Sequence, residues 1–426
     1  MSDPEGCTSG RTEVMDTQKS YKVWLVLFGL VLIYAGMSGI LSNTLGVFFT
    51  AIIEDLDFRA GDLSVFYMIK SLVAAASVGF TTKMFVEKDG KKVMFVLEVL
   101  MIASFAVMAL FHSMWQWYLA AIVSGIGGSC FIVAVPIVIN NWFVKKRGLA
   151  LGLTMSSSGI AGALMSPVFS RWITAMGWRQ TVLLTSLICT VIILIPTLFL
   201  FWVKPEDAGT KAYGYEETPE TAETQRQEIH RNIPGIVFVM ITAAVLLPGI
   251  LVNFTAQMPV YALSLGYTLE IGAMFTSWCM IGNVAGKLIL GVLSDRIGIY
   301  KTTEIFLGAV LLSLVLFLFM QRSVMMLNLA AVLFGAEYAI YVNTQPLVLL
   351  DVYGPDDYKM KMSRLQSCLG LIGAFVAVLV PYIYDFTGSF DLFFVIGIVF
   401  CLISIILFVR LEHNSRRNVY DTRSVQ

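Results

Sequence analysis

Apolar stretches recur along nearly the whole chain, and each is long enough for a membrane-spanning helix of about 20 residues. Short polar segments separate them. The pattern therefore predicts an all-α membrane protein with twelve transmembrane helices. The predicted spans are Val23–Phe49, Leu63–Phe85, Met94–Phe111, Trp115–Ile139, Leu149–Met176 and Val182–Trp202 in the first half, and Ile233–Phe254, Ile271–Leu293, Thr302–Phe319, Met325–Val348, Ser363–Tyr384 and Phe390–Leu411 in the second.

The polar segments divide these helices into two groups of six. The longest segment, residues 203–232, is rich in Glu, Thr and Lys and is interpreted as a cytosolic linker. It separates a bundle at residues 23–202 from a second bundle at residues 233–411, and the two are expected to be pseudo-symmetric. Residues 1–22 and 412–426 are interpreted as cytosolic tails, since the first lacks the apolar core of a signal peptide.

Basic residues are distributed unevenly between the two sides of the predicted bundles. Most lie in the tails, the linker and the even-numbered connections. The odd-numbered connections hold only Arg59, Arg171, Arg179 and Arg322. Cytosolic loops carry an excess of Lys and Arg, so both termini are predicted to lie in the cytosol, with the protein in the plasma membrane. Two lysines, Lys70 and Lys287, fall inside spans.

Composition narrows the class of protein further. The chain is 57% hydrophobic and 14% charged, whereas soluble domains carry about 25% charged residues. Its net charge of zero argues against a nucleic-acid-binding surface. Six scattered cysteines and three histidines predict no disulfide framework, metal site or cofactor. Residues 282–288 lack the spacing of a Walker sequence, so neither an ATP-driven pump nor an enzyme is expected.

A short charged pattern recurs at the end of the second predicted span of each half. It contains an acid, a base, a glycine and a further base. The glycine permits a tight turn, and the acid can face the N-terminus of a neighbouring helix. Such duplication is typical of transporters built from two six-helix bundles. The residues of this predicted gating loop are Glu87 and Gly90 in the first half and Gly291, Asp295, Arg296 and Gly298 in the second.

The second-half copy resembles the signature loop of the major facilitator superfamily, and the first-half copy departs from it at Lys83 and Glu87. Residues Asn141–Gly152 resemble the loop into the fifth helix of the monocarboxylate transporter group, including its oxalate:formate antiporter branch. The resemblance extends to that branch's connections around the eleventh helix, at residues 351–354 and 385–389. It implies a two-bundle transporter fold and a small organic anion as substrate.

Lys287 is the first candidate for a substrate-binding residue. A charge inside a span costs about 2.5 kcal/mol or more and is usually functional or paired. The resemblance implies a carboxylate-binding cation here, four residues before Gly291, where the group carries an Arg. A Lys keeps the charge without the two-pronged geometry. The alternatives are a snorkelling or structurally paired lysine, and Lys70 on the second helix has the same interpretations.

Glu337 lies in the most polar stretch of any predicted span, residues 335–345. Two interpretations stand: it carries a proton coupled to transport, or it forms a fixed ion pair with Lys287. Glu98 and Glu304 are expected to meet basic loop residues instead. Further candidates for substrate contact, with interhelical hydrogen bonding as their alternative role, are Tyr338, Tyr341 and Asn343 on the same span and Tyr34 and Asn43 on the first.

These features predict a secondary active transporter that works by alternating access, with the substrate between the halves near mid-membrane. It would move a small organic anion by proton symport or anion exchange. The oxalate branch has a second cation in the middle of the eleventh helix, where Ser367–Gly370 stand here. A dianion therefore lacks its expected partner unless Lys70 supplies it, and a monocarboxylate is favoured. The alternatives are a neutral or cationic solute, with Lys287 and Glu337 paired, and a non-transporting receptor on the same fold.

Overall fold

The computed structural model describes residues 9–58, 60–215 and 233–423, and nearly all of these residues are helical. The described helices form twelve longer units, named α1 to α12 in chain order, and eleven helices in this part are long and apolar enough to cross a membrane. The predicted all-α fold is confirmed. Parts of the predicted tails and linker, residues 1–8, 216–232 and 424–426, lie outside the described residues.

The first bundle contains α1 to α6, several of which are interrupted. Their bounds are Ser9–Tyr34, Ala35–Asn43 and Leu45–Leu56 for α1, Ala60–Glu87 for α2, Gly90–Val107 with Met108–Leu110 for α3, Met114–Ser129 and Phe131–Trp142 for α4, Arg147–Met176 for α5, and Trp178–Cys189, Thr190–Leu194 and Ile195–Phe199 for α6.

The second bundle contains α7 to α12. The segment Gln345–Thr387 is continuous but kinked at Gly354 (φ 74°), so the part before the kink ends α10 and the part after it is α11. The remaining bounds are Gly235–Gly249, Leu251–Gln257 and Met258–Ser264 for α7, Leu269–Ile297 for α8, Ile299–Phe319 for α9, Val324–Phe334, Ala336–Ala339 and Ile340–Thr344 for α10, and Asp391–Arg423 for α12.

The terminal helices extend beyond the predicted spans. α1 begins at Ser9 rather than near Val23, and α12 continues to Arg423, past Leu411. Hydropathy identifies only the apolar residues that cross the bilayer. A helix that has already formed can continue through polar residues, because adding a residue to an existing helix is easier than starting a new one. The eleventh predicted span, Ser363–Tyr384, lies within α11, and most of its side chains from residue 374 onward lie outside the described part of the chain.

Two polar stretches, one in α1 and one in α10, adopt π-helical instead of α-helical geometry. In α1 the segment Ala35–Asn43 is π-helical and contains Ser38 and Ser42, and in α10 the segment Ile340–Thr344 is π-helical and contains Asn343. A π turn closes its hydrogen bonds five residues apart and occurs often at functional sites. The two polar stretches that predict substrate contacts therefore coincide with local departures from regular helix.

Each bundle has its own aromatic core. In the second bundle, Phe254 on α7 packs against Phe317 on α9 and Phe394 on α12, with ring centroids 5.5 and 5.1 Å away. In the first bundle, Trp117 on α4 packs against Phe111 with centroids 5.5 Å apart. Aromatic rings bury large areas and interlock in fixed arrangements, so each bundle is a stiff unit.

The bundles meet along two seams, where α5 packs on α8 and where α2 packs on α11. Glycines permit the close approach at the α5/α8 seam. A Cβ added to Gly148 would clash with Gly291 O, and one added to Gly152 would lie 2.6 Å from Lys287 O. Small residues let helix backbones approach in membranes. The end of the bundles that carries the linker, where Tyr213 N donates to Trp142 O at 2.7 Å, is called the linker face below.

Candidate substrate site and gating loop

Lys287 lies on α8 at the seam with α5, where its side chain is 5% exposed. Its ammonium donates to Met155 O on α5 at 3.3 Å. The bond therefore joins the two bundles. Asn343, in the π segment of α10, donates to Lys287 O at 3.0 Å and ties that helix to the same point. Within the described residues, Lys287 forms no ion pair with an acid.

Glu337 is fully buried on α10. Neither of its carboxylate oxygens has a hydrogen-bond partner among the described residues, and the ion pair with Lys287 is not formed in this structure. The carboxylate instead lies within electrostatic range of Cys401 on α12. An ionised group buried without a partner is costly, so a site of this kind tolerates the neutral acid.

The tyrosines of α10 turn towards α7, within the second bundle. Tyr338 lies beside Thr255, and the ring of Tyr341 fills the space over Gly249. Asn343, the third candidate on α10, instead donates a hydrogen bond to the backbone of Lys287. The structure therefore places the three predicted contacts of this helix in two different environments, because residues three apart, such as Tyr338 and Tyr341, share a face of a helix and Asn343, two residues further on, does not.

Two candidates of the first bundle, Lys70 and Asn43, make contacts at the π segment of α1, and the third, Tyr34, directly precedes that segment. Lys70 on α2 donates to Ser42 Oγ at 3.1 Å. Asn43 donates to Ser158 O on α5 at 3.4 Å, and the Tyr34 ring packs on Phe131, with centroids 5.4 Å apart. Lys70 thus points into the bundle and bonds α1.

The sequence missed some polar groups of the seam. The hydrogen-bond acceptor of Lys287 is the backbone carbonyl of Met155, and the sequence does not indicate which backbone carbonyl faces the lysine. Ser156 Oγ donates to Val284 O across the seam at 3.4 Å. Within the second bundle, Gln366 on α11 donates to Gln345 on α10 at 2.7 Å. The sequence shows that residues 156 and 366 are polar, but it does not show which helix each of them contacts.

The second-half copy of the predicted gating loop lies at the linker-face end of the α5/α8 seam. The carboxylate of Asp295 accepts hydrogen bonds from the backbone of Gly148 and Leu149, both at 2.9 Å. These N–H groups belong to the first turn of α5, where the helix dipole favours negative charge. Gly298 has a φ of 87° and begins α9. Arg296 on the same loop is exposed.

The first-half loop is arranged differently from its predicted counterpart. Glu87 lies 3.9 Å from Lys83 on its own helix, and both side chains are exposed. Gly90 has no positive φ and is buried, where a Cβ would come within 2.8 Å of Phe85 O. Asp89 performs the capping, and its hydrogen bonds from Lys92 lower the pKa of its carboxyl. The glycine there serves packing rather than a tight turn.

Glu98 also differs from its expected surroundings. It is fully buried on α3 and accepts a hydrogen bond from Thr197 on α6 at 2.9 Å, rather than meeting a basic loop residue. The depth of Glu98 in the bundle therefore depends on the length of α3 and of the helices around it, and not only on its distance from the end of the predicted span.

Comparison with known proteins decides the family. The sequence profile of the Major Facilitator Superfamily matches residues 26–356 and 270–424. The chain belongs to the major facilitator superfamily. Monocarboxylate transporter 12-B of Danio rerio is 26% identical over 322 residues, 67% of this chain and 65% of that protein. The MFS-type transporter pynF of Aspergillus niger is 22% identical over 289 residues, 67% of this chain and 64% of that protein. The chain thus spans less than two thirds of either relative.

Solved structures of major facilitator proteins share the fold. A double-tryptophan mutant of XylE superposes with a TM-score of 0.70 at 14% identity, covering 92% of this chain and 95% of that one. The E. coli fucose:proton symporter FucP gives a TM-score of 0.65 at 16% identity, covering 91% and 97%. This chain is a multi-pass membrane protein of that superfamily, and it resembles the monocarboxylate transporter group.

Proposed function

We propose that the protein is a secondary active transporter of a small monocarboxylate, with Lys287 as the cation that binds the carboxylate. The observation that carries the proposal is a buried lysine at the seam of the two bundles, bonded to a carbonyl and to no acid in the described part of the chain. A buried ammonium without a counter-ion is costly in a membrane. A substrate carboxylate offsets that cost.

The position of Lys287 suits alternating access. Its bond to Met155 O crosses from one bundle to the other, so it breaks when the bundles rock apart. A substrate that binds the ammonium then competes with the Met155 carbonyl. Binding at this point is therefore coupled to the closure of the α5/α8 seam.

Glu337 is proposed as the residue that carries the coupling proton. Both of its oxygens are buried without partners among the described residues. In such surroundings the protonated and ionised forms of the carboxyl group differ greatly in free energy. The ion pair required by the alternative, a neutral or cationic solute with Lys287 and Glu337 locked together, is not formed here. Anion exchange instead of symport remains a second mode for the same site.

The orientation follows from the charges. Lys and Arg concentrate in the tails, the linker and the loops on the same side, and this distribution supports the proposal that the linker face lies in the cytosol, with the protein in the plasma membrane. The closed α5/α8 seam then lies on the cytosolic side. Protease protection of the linker in sealed cells tests this orientation.

The decisive experiment is uptake into proteoliposomes. A panel of small mono- and dicarboxylates is tested with wild type, Lys287→Gln and the matched control Lys70→Gln. The expected result is saturable monocarboxylate uptake that Lys287→Gln lowers at least about tenfold, as for the loss of a charge-assisted bond. Lys70→Gln should retain uptake. If no carboxylate moves, or if Lys287→Gln transports like wild type, the proposal is wrong.

A further inference from the structure

A second group of polar residues lies at the linker face, away from Lys287. A cavity of about 140 Å³ opens there between the ends of α4, α5 and α11. Asn140 and Arg147 line it from the first bundle, and Tyr358 and Lys359 line it from the second. The cavity is therefore shared by the two bundles, next to the contact between Asp295 and α5.

The cavity contains polar groups that lack partners. Tyr358 is 1% exposed, and its hydroxyl faces the Asn140 amide. Apart from this mutual contact, neither the hydroxyl nor the two amide atoms has a hydrogen-bond partner among the described residues, so each keeps capacity for a further bond. Buried polar atoms in folded proteins are nearly always satisfied, so a hydroxyl and an amide left open on one cavity indicate a bound group.

The charge of the cavity is positive. Arg147 uses its Nε–H to bond Phe143 O, which leaves the other donors of its guanidinium, and the half-buried Lys359 brings an ammonium from α11. The nearby Asp295 carboxylate is directed to the backbone of α5. Two cations, a hydroxyl and an amide NH₂ form a set of donors, and such a set suits the oxygens of an anion.

We propose that this cavity binds a small oxyanion, a carboxylate or a phosphate, which bridges the two bundles at the linker face. The volume admits an anion of a few heavy atoms and excludes a nucleotide. The anion holds Arg147 of the first bundle and Lys359 of the second in one network. Occupancy therefore stabilises the state in which the linker face is closed, independently of the site at Lys287.

The test measures anion binding without transport. The purified full-length protein in detergent is titrated with sodium phosphate and, separately, with sodium formate at constant ionic strength, and the thermal unfolding midpoint is followed. Wild type should show a saturable rise in midpoint. Lys359→Gln should raise the apparent Kd at least about tenfold, and Tyr358→Phe by about fivefold. The matched control is Lys361→Gln, on the same helix but with its ammonium over the Tyr353 ring, 4.9 Å from its centroid.

The same titrations in the Lys287→Gln background separate the sources of the anion. A phosphate response that formate does not compete with identifies an inorganic anion, and competition between them identifies a site shared with carboxylates. Both results support the site, and both can be obtained even if Lys287 proves structural. The proposal is overturned if neither anion gives a saturable shift, or if Lys361→Gln weakens binding as much as Lys359→Gln.

Discussion

The two seams between the bundles are related by the internal repeat, yet they are built differently. At the α5/α8 seam, Gly148 and Gly291 bring two backbones together, and Asp295 bonds the first turn of α5. At the α2/α11 seam, a Cβ on Gly79 would lie 3.9 Å from Ser363 Oγ, which is ordinary contact, and Glu87 bonds its own helix.

One substitution in the repeat accounts for this difference. The second-half loop has Gly291 where the first-half loop has Lys83. A side chain at that position keeps the facing backbone away, so the acid four residues later cannot reach the N-terminus of the neighbouring helix. Beside the α2/α11 seam there is instead an open cleft of about 440 Å³, lined by lysines and two acids. Similar sequences thus give a close backbone contact at the linker-face end of the α5/α8 seam and a looser contact around Gly79 in the α2/α11 seam, where the close approach lies instead at Gly370, whose added Cβ would be 2.8 Å from Ala75 Cβ.

Matched glycine substitutions should break the comparison most strongly. Gly148→Ala places a methyl group against Gly291 O and should destabilise the protein by about 1–3 kcal/mol, the usual cost of overpacking. Gly79→Ala should be neutral or stabilise by up to about 1 kcal/mol, because alanine favours helix. Thermal unfolding in detergent measures both. Equal effects of the two changes would show that the seams are equivalent.

The buried acids extend the comparison to function. Glu337→Gln should lower uptake driven by a proton gradient at least about tenfold while substrate exchange persists, since an amide cannot carry the proton. Glu98→Gln in the first bundle should leave both activities in place, because Glu98 is bonded to Thr197. Uptake and counterflow in proteoliposomes provide the two readouts. A proton-driven uptake that survives Glu337→Gln would remove this residue from coupling.

The two loop acids should differ by a smaller amount. Asp295→Asn weakens two charge-assisted bonds at a helix N-terminus and should cost about 1 kcal/mol. Glu87→Gln removes an exposed pair within one helix and should cost less than about 0.5 kcal/mol. A cysteine introduced at the linker-face end of α5 should also be labelled faster by a thiol reagent in Asp295→Asn than in wild type. Labelling that is unchanged there but increased in Glu87→Gln would reverse the assignment of the seams.

A contact within the first bundle provides a small effect and a baseline. Trp178 Nε1 and Arg179 Nη1 donate to Asp55 Oδ2 at 2.9 and 2.6 Å, and these bonds lower the pKa of Asp55. Because the folded pKa is depressed, the stabilisation is present above the ordinary value of about 3.9 and is lost as the pH falls through the folded pKa.

Wild type should therefore unfold at a higher temperature than Asp55→Asn at pH 5 to 7, and the difference should shrink below about pH 4. The expected difference is less than about 1 kcal/mol because the pair is partly exposed. Adding Arg179→Gln to Asp55→Asn should change little further. A difference that grows as the pH falls would contradict the lowered pKa.

The sequence predicts the spans well because hydropathy depends on the bilayer and not on the neighbouring helices. It also indicates that an acid of the loop faces a helix N-terminus, as Asp295 does. It could not predict that Glu87 bonds its own helix or that Lys287 bonds the Met155 carbonyl. Those contacts depend on the distance between two backbones, and a glycine on the facing helix sets that distance.

The glycine contacts of the α5/α8 seam have a thermodynamic consequence. Opening this seam separates backbone from backbone and uncovers little hydrocarbon, since Gly148, Gly152 and Gly291 have no side chains. Heat-capacity changes scale with the apolar area that is uncovered. The equilibrium between closed and open states should therefore have a small heat-capacity change, with an enthalpy that is nearly constant over physiological temperatures.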